Sequence, residues 1–212
     1  MDNIARVKDV VSGIEDLELL ATIPNVSAKM GVSDAPYADD LRYDLNCYIS
    51  RGSGMLQISP LLDLNFLYGD GHGAGTVGGI WDRHHKAFRD FIASFRPSSV
   101  LEPGGGHGKL AEQYAEVGVQ LHIWNILEPS EDSLPTQFNA SKISSECGFF
   151  DSEFAKNSIK YSAVVTSHVL EHIYDPRPFL SDCWSVIEDH GHLIFSIPNV
   201  DHSLKEKHSN FL

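Results

Sequence analysis

The stretch Ser99–Gly108 constrains the fold most, because a short apolar strand runs into an acidic residue and then into a turn dense in glycine. A helical segment follows from Lys109. Glycine lets the backbone turn sharply and leaves no side chain in the way, so a ligand can lie against the turn itself. The order strand, glycine turn and helix predicts a nucleotide-binding α/β fold, with a nucleoside as the natural ligand.

The spacing of the glycines separates two kinds of nucleotide site. A dinucleotide site has the pattern G-x-G-x-x-G. Here the glycines fall at Gly104, Gly106 and Gly108, and Lys109 takes the place of the third glycine. This spacing disfavours an NAD-dependent oxidoreductase, and the alternative on this stretch alone is a glycine-rich turn without a ligand.

Strands and helices alternate from Ser99 onward. This alternation predicts a Rossmann-like, doubly wound and mostly parallel sheet. The predicted helices are 80–95, 108–117 and 178–187, and the predicted strands are 99–102, 120–127, 143–148, 161–167 and 192–197. We expect a core domain over residues 80–212.

The N-terminal region, residues 1–79, is predicted to form a small α+β domain with a glycine-rich connecting loop. Apolar residues three and four positions apart predict a helical stripe over 2–20, or a helix followed by a turn at Gly13, and 21–45 is predicted to be irregular. Two short strand-like runs, 46–50 and 55–58, flank Arg51–Gly54 and predict a hairpin.

Charge and composition exclude several classes of partner. The formal net charge of −13 and the lack of a basic stripe disfavour nucleic acid and anionic membranes. No apolar run approaches the roughly 20 residues that span a bilayer. The N-terminus lacks a basic start and an apolar stretch, which predicts a cytoplasmic protein, and three scattered cysteines predict reduced thiols.

The pattern Glu102-x-Gly104-x-Gly106-x-Gly108 resembles the first motif of the class I S-adenosylmethionine-dependent methyltransferases. The resemblance implies S-adenosyl-L-methionine as the cofactor, with Glu102 near its methionine portion. It also implies cofactor contacts along the turn, at Pro103, Gly104, Gly105, Gly106 and Gly108.

Two further strand ends are predicted to hold the adenosine. Glu128 closes the second predicted strand, where a carboxylate can accept both ribose hydroxyls, and the alternative is a surface residue before a proline turn. After the third strand, where the superfamily usually contacts adenine, the resemblance implies that Phe149 or Phe150 flanks the ring, although either can equally belong to the core.

The segment Val164–Pro176 resembles the fourth-strand motif of small-molecule methyltransferases. By this resemblance Ser167 and His168 lie against the cofactor, and Leu170, Glu171 and His172 face the methyl acceptor. His172, and after it His168, are predicted to act as the catalytic base, the alternative being a histidine satisfied by backbone at a helix start. Asn199, after the fifth strand, is predicted to line the acceptor pocket.

A divalent metal is the alternative occupant of this segment. His168, Glu171 and His172 would share one face of a helical turn, and quinone and small-RNA ribose O-methyltransferases bind a metal at a comparable place. Those relatives have a glutamate where His168 stands, and no fourth ligand is assured. We therefore predict no metal.

The N-terminal region resembles the small domain of sugar C-methyltransferases, whose hairpin carries a cysteine pair that binds zinc. Only Cys47 is near the hairpin here, so no structural zinc is expected. The resemblance implies a nucleotide-linked sugar or related metabolite as the small-molecule acceptor, with Tyr68 and His72 in its pocket. The neighbours His84 and His85 are predicted to be one packed and one solvated histidine.

The superfamily's sheet has seven strands, and this sequence predicts five. Either the chain is truncated, or another polypeptide, such as a second copy in a homo-oligomer, covers the fifth strand. The alternative function is therefore a chain that binds the cofactor without a complete acceptor site.

Overall fold

A computed structural model describes residues 4–28, 41–63, 78–129, 131–199 and 205. The chain divides into two compact units, with the boundary between residues 72 and 73. Of the helices in the described ranges, none has the length and apolar character needed to cross a membrane. The three cysteines are free thiols.

The first unit contains a three-stranded antiparallel sheet: β1 (Leu17–Ser27), β2 (Arg42–Ser50) and β3 (Leu56–Ile58), in the order β1-β2-β3. The predicted hairpin is confirmed, since Tyr48 of β2 pairs with Gln57 of β3. The Gln57 side chain is buried and bonds both Val10 N and Lys8 O, which ties the N-terminal segment to the hairpin.

The predicted helix over 2–20 is wrong. Residues 17–20 belong to β1, and Asp9 accepts hydrogen bonds from Val11 N and Ser12 N in a tight turn. The apolar residues that suggested a helical stripe, such as Val7 and Ile14, are more than half exposed. The pairing of β1 with β2 outweighs the helical spacing of the apolar residues. The irregular region predicted over 21–45 is also wrong at both ends, where β1 and β2 lie.

The second unit is a parallel sheet with helices on both faces. Its strands are β4 (Ser99–Pro103), β5 (Ile123–Glu128), β6 (Ile143–Cys147), β7 (Tyr161–Ser167) and β8 (Ile187–Ser196), in the order β6-β5-β4-β7-β8. Its helices are α1 (Gly79–Phe95), α2 (Lys109–Ala115), α3 (Ser152–Asn157) and α4 (Pro176–Ser185), with short 3-10 turns at Glu131–Ser133 and Leu170–His172. The predicted doubly wound parallel sheet is confirmed.

Each face of the sheet packs against an apolar cluster, which explains why the strands are nearly continuous runs of apolar residues. One face of the sheet packs Val100, Trp124 and Val165 against α1 and α2, while the other packs Leu101 and Val164 against α3 and α4. The order of strands reverses between β4 and β7, so the crevice for a ligand lies beyond the carboxyl ends of these two strands.

Local signals set the ends of the helices. Helix α1 ends at Phe95, and its C-cap residue Arg96 is left-handed (φ 53°) and precedes Pro97. Asp151 caps α3 by accepting from Glu153 N and Phe154 N, and Pro176 begins α4.

Strand β8 begins earlier than predicted. Residues 189–191, which lie between the predicted helix 178–187 and the predicted strand 192–197, belong to β8 and contain an irregularity: Tyr161 pairs with Ile187, whereas Ala163 pairs with His192. Gly191 allows this close approach, because a Cβ there would lie 2.6 Å from Ile187 Cγ2 and 2.9 Å from the Ser162 carbonyl oxygen.

We expect Gly191→Ala to lower the free energy of unfolding by about 1–3 kcal/mol, because the methyl group collides with backbone that cannot move freely. Urea denaturation measures the change. Gly79→Ala is the matched control: its Cβ meets only the tip of Arg83 at 3.4 Å, and we expect a change below about 0.5 kcal/mol. Equal losses in the two variants would contradict this account of β8.

Candidate functional site

Side chains from other parts of the protein pack closely against the glycine turn after β4. Gly104 and Gly108 adopt positive φ of 72° and 69°. A Cβ at Gly104 would lie 2.6 Å from Val169 Cγ2, and one at Gly108 would lie 2.5 Å from Phe138 Cε1. Three segments distant in sequence therefore meet at this turn.

Glu102 lies beneath the turn, 2 % exposed. Its Oε2 accepts a 2.7 Å hydrogen bond from Trp124 Nε1, and a Cβ at Gly105 would lie 2.8 Å from its carboxyl carbon. Burial raises the pKa of Glu102 to about 8; the bond from Trp124 opposes the shift, and the nearby Glu128 carboxylate adds to it. Glu102 and its neighbour Pro103 are therefore both buried at the end of β4, next to the turn.

Glu128 reaches the same turn from the end of β5. Gly106 N–H donates to Glu128 Oε2 at 3.0 Å, and Glu128 remains partly exposed. Backbone bonds join the neighbouring strand ends, from Gly104 N to Leu127 O and from Gly148 N to Glu128 O. The side chains at positions 102 and 128 therefore converge on one turn.

The two phenylalanines after β6 have different surroundings. Phe150 packs against Phe154 and Phe179 in the cluster on the α3 and α4 face. Phe149 is 66 % exposed and follows Gly148 at the strand end. Phe149 is therefore the better candidate for a flat apolar contact with a ligand.

A cluster of rings and hydroxyls lies at the carboxyl ends of β7 and β8. His84 Nε2 is 3.0 Å from Ser167 Oγ, and Ser196 Oγ donates to Ser167 Oγ at 3.1 Å. The His168 ring lies 5.1 Å from the Trp81 ring and 5.0 Å from the His84 ring, centroid to centroid. Helix α1 thus supplies two side chains to the site.

His168 has an unusual backbone and a carboxylate partner. Its φ is 55°, in the left-handed region that side-chain-bearing residues seldom occupy. Its Nδ1 is 3.2 Å from Glu171 Oε1, with side chains 27 % and 22 % exposed. This pair can hold one tautomer, with Nδ1 protonated toward the carboxylate and Nε2 left as a proton acceptor.

The remaining sequence candidates are placed as follows. His172 is exposed at the end of its 3-10 turn, and Leu170 packs against the cluster on the α4 face. Asn199 is exposed after β8. Tyr68 and His72 lie outside the described residues. Because residues 170–172 form a 3-10 turn preceded by left-handed His168, the single helical turn that would have grouped His168, Glu171 and His172 does not form.

Sequence reasoning did not identify His84, Trp81 and Ser196. His85 is buried as expected of a packed histidine, but the expectation that its neighbour is solvated is wrong, since His84 is partly buried and bonded to Ser167. Burial, followed by the neighbouring His168 and His85, lowers the pKa of His84. Within the ranges described, no cluster of three or more His, Cys, Asp or Glu residues is arranged to hold a metal ion.

The raised pKa of Glu102 makes stability depend on pH. Between the ordinary value of 4.5 and about 8, the folded protein keeps a proton on Glu102 that the unfolded chain has lost. The free energy of unfolding therefore falls as pH rises through this window. We expect Glu102→Gln to remove the effect, so that its stability relative to the parent rises by on the order of 3 kcal/mol from about pH 5 to about pH 8.

Urea denaturation across this window, at about pH 5, 6, 7 and 8, measures the difference. Glu116→Gln is the control, because Glu116 is exposed and its replacement removes an equal charge from the surface. A difference between Glu102→Gln and the parent that stays constant with pH would contradict the assignment of a buried proton.

Comparison with known proteins places the second unit in a family. Residues 81–211 match the family model described as a methyltransferase domain. No curated protein matches the chain significantly. The solved structures that are similar to it include three methyltransferases.

The methyltransferase domain of bacterial CtHen1 is 18 % identical, with TM-score 0.44, over 60 % of this chain and 72 % of that one. The plantazolicin methyltransferase BpumL, solved with SAH, is 14 % identical, with TM-score 0.49, over 58 % of this chain and 50 % of that one. The N-methyltransferase NodS from Bradyrhizobium japonicum WM9 is 15 % identical, with TM-score 0.46, over 60 % of this chain and 73 % of that one.

The family model covers well over half of the chain, including the glycine turn, Glu128 and the ring cluster. The chain therefore belongs to the methyltransferase domain family.

Proposed function

We propose that this protein transfers a methyl group from S-adenosyl-L-methionine to a small-molecule acceptor at the carboxyl ends of β4 and β7. One observation carries the proposal: Glu128 bonds the glycine turn after β4, and Val169, the neighbour of His168, packs against the same turn, beside the point where the strand order reverses between β4 and β7. Ligands of doubly wound sheets bind at this point.

The residues present fit the cofactor by their chemistry. Glu128 is a partly exposed carboxylate beside bare peptide, and a carboxylate accepts hydrogen bonds from the two hydroxyls of a ribose. Phe149 offers an exposed ring for adenine. We assign to Glu102 the task of supporting the turn from below, through Gly105 and Trp124.

S-adenosyl-L-methionine, when bound, supplies a methyl group on a positively charged sulfur, which needs no further activation. The protein then has to align the acceptor and take its proton. We assign the base to His168, because Glu171 can hold Nδ1 protonated while Nε2 takes a proton from an acceptor hydroxyl or carbon acid. His172 stays a second candidate for the same task.

The acceptor is proposed to be small, because a chain with a formal net charge of −13 repels nucleic acid and anionic lipid. A nucleotide-linked sugar or related metabolite is the proposed class, supported by the resemblance of the N-terminal hairpin to the small domain of sugar C-methyltransferases. A covering partner at β8 and a cytoplasmic location stay predictions.

The donor site is tested by titrating S-adenosylhomocysteine in a calorimeter. We expect Glu128→Ala to weaken binding about 100-fold and Glu128→Gln about 10-fold, since a hydrogen bond to a charged group contributes about 1.5–3 kcal/mol and glutamine keeps one acceptor. His172→Ala is the control, and its affinity should stay within about twofold. Absence of binding to the parent protein, or tighter binding of NAD, would overturn the proposal.

The base is tested with methyl-labelled donor and a panel of nucleotide-linked sugars. We expect His168→Gln to lower turnover about 100-fold without changing S-adenosylhomocysteine affinity, because the base acts after binding. A larger loss in His172→Ala than in His168→Gln would move the base to position 172. Donor binding without turnover on any acceptor would favour the alternative, a cofactor-binding chain without a complete acceptor site.

A further inference from the structure

His84 is distant from the strands in sequence but lies at the ends of two of them. Its Nε2 is 3.0 Å from Ser167 Oγ and 3.5 Å from Ser196 Oγ. Ser167 is the last residue of β7, Ser196 is the last residue of β8, and the two are paired in the sheet. One imidazole from α1 therefore bridges the hydroxyls of both strand ends.

The same two strand ends fix the backbone of His168. His168 N–H donates to the Ser196 carbonyl oxygen at 3.0 Å, directly after Ser167. A left-handed conformation in a residue with a side chain persists only where its surroundings hold it. If the ends of β7 and β8 separate, this bond is lost and His168 is released toward ordinary backbone angles.

The ring of His84 also limits where the ring of His168 can go. The two centroids are 5.0 Å apart at an interplanar angle of 72°, and Trp81 contacts both rings from the same helix. On its other side His84 stacks on the buried Phe88, at 5.9 Å and 19°. His84 therefore lies between the core and His168.

We propose that His84 is a positioning residue: by binding the hydroxyls of Ser167 and Ser196 it holds the ends of β7 and β8 together and keeps His168 facing Glu171. The neutral form of His84, favoured by its lowered pKa, adds no positive charge beside His168. The importance for catalysis of positioning His168 through His84 rests on the proposed function, in which His168 is the base.

The experiment measures amide hydrogen exchange at His168 in the full chain, without donor or acceptor. We expect His84→Phe, which keeps a ring on Phe88 but cannot bind the hydroxyls, to raise the exchange rate by about tenfold or more. His84→Gln, whose amide can still bind them, should stay within about threefold of the parent. Ser196→Ala should raise the exchange rate at His168 as His84→Phe does. It replaces His84→Phe as the test if that variant fails to fold.

Phe88→Leu is the control for a purely structural effect. It should lower the urea midpoint through lost packing while leaving exchange at His168 within about threefold of the parent. Unchanged exchange in His84→Phe and Ser196→Ala, equal rates in His84→Phe and His84→Gln, or a rise of about tenfold in Phe88→Leu would each overturn the proposal.

A calorimetric titration of the same variants with S-adenosylhomocysteine separates the two proposals. Absence of binding in the parent would remove the proposed function and leave the exchange result standing. Under both proposals, His84→Phe keeps the affinity of the parent for S-adenosylhomocysteine and lowers turnover about tenfold.

Discussion

The buried carboxyl group of Glu102 is the interaction on which the rest of this site depends. It joins β4 to β5 by accepting a hydrogen bond from the indole of Trp124, and it packs against the glycine turn at Gly105. A buried carboxyl is costly when charged and unpaired, and this one is relieved by a hydrogen bond and by its raised pKa. The position of the turn, and through it the bond from Gly106 to Glu128, follows from this arrangement.

The sheet of the second unit was predictable from sequence for a physical reason. Its central strands are buried on both faces, so a continuous apolar run such as Ala163, Val164 and Val165 indicates a strand without knowledge of its partners. The first unit is the opposite case. Its β1 carries exposed apolar residues, including Leu19 and Leu20, and its structure depends on pairing with β2, so local periodicity indicated a helix where a strand forms.

The candidate site was predictable only in the part that follows strand ends. Glu128 and His168 stand at such ends, and their location at the same edge of the sheet follows from the parallel order of strands. The contribution of His84 could not be predicted, because adjacent histidines on a helix carry no signal of which one faces a hydroxyl on strands far away in sequence. The supporting role of Glu102 could not be predicted either, since its partner Trp124 lies on another strand.

The close packing at the glycine turn limits which substitutions the sequence can accept during evolution. The space beside position 104 is filled by Val169, that beside position 105 by Glu102 and Ile126, and that beside position 108 by Phe138 and Ile126. A bulkier residue at any of the three requires a smaller one on its own partner, and at 104 and 108 the positive φ adds a second barrier. Change at this turn is therefore expected to come as compensated pairs, with Ile126 linking two of the three positions into one evolutionary unit.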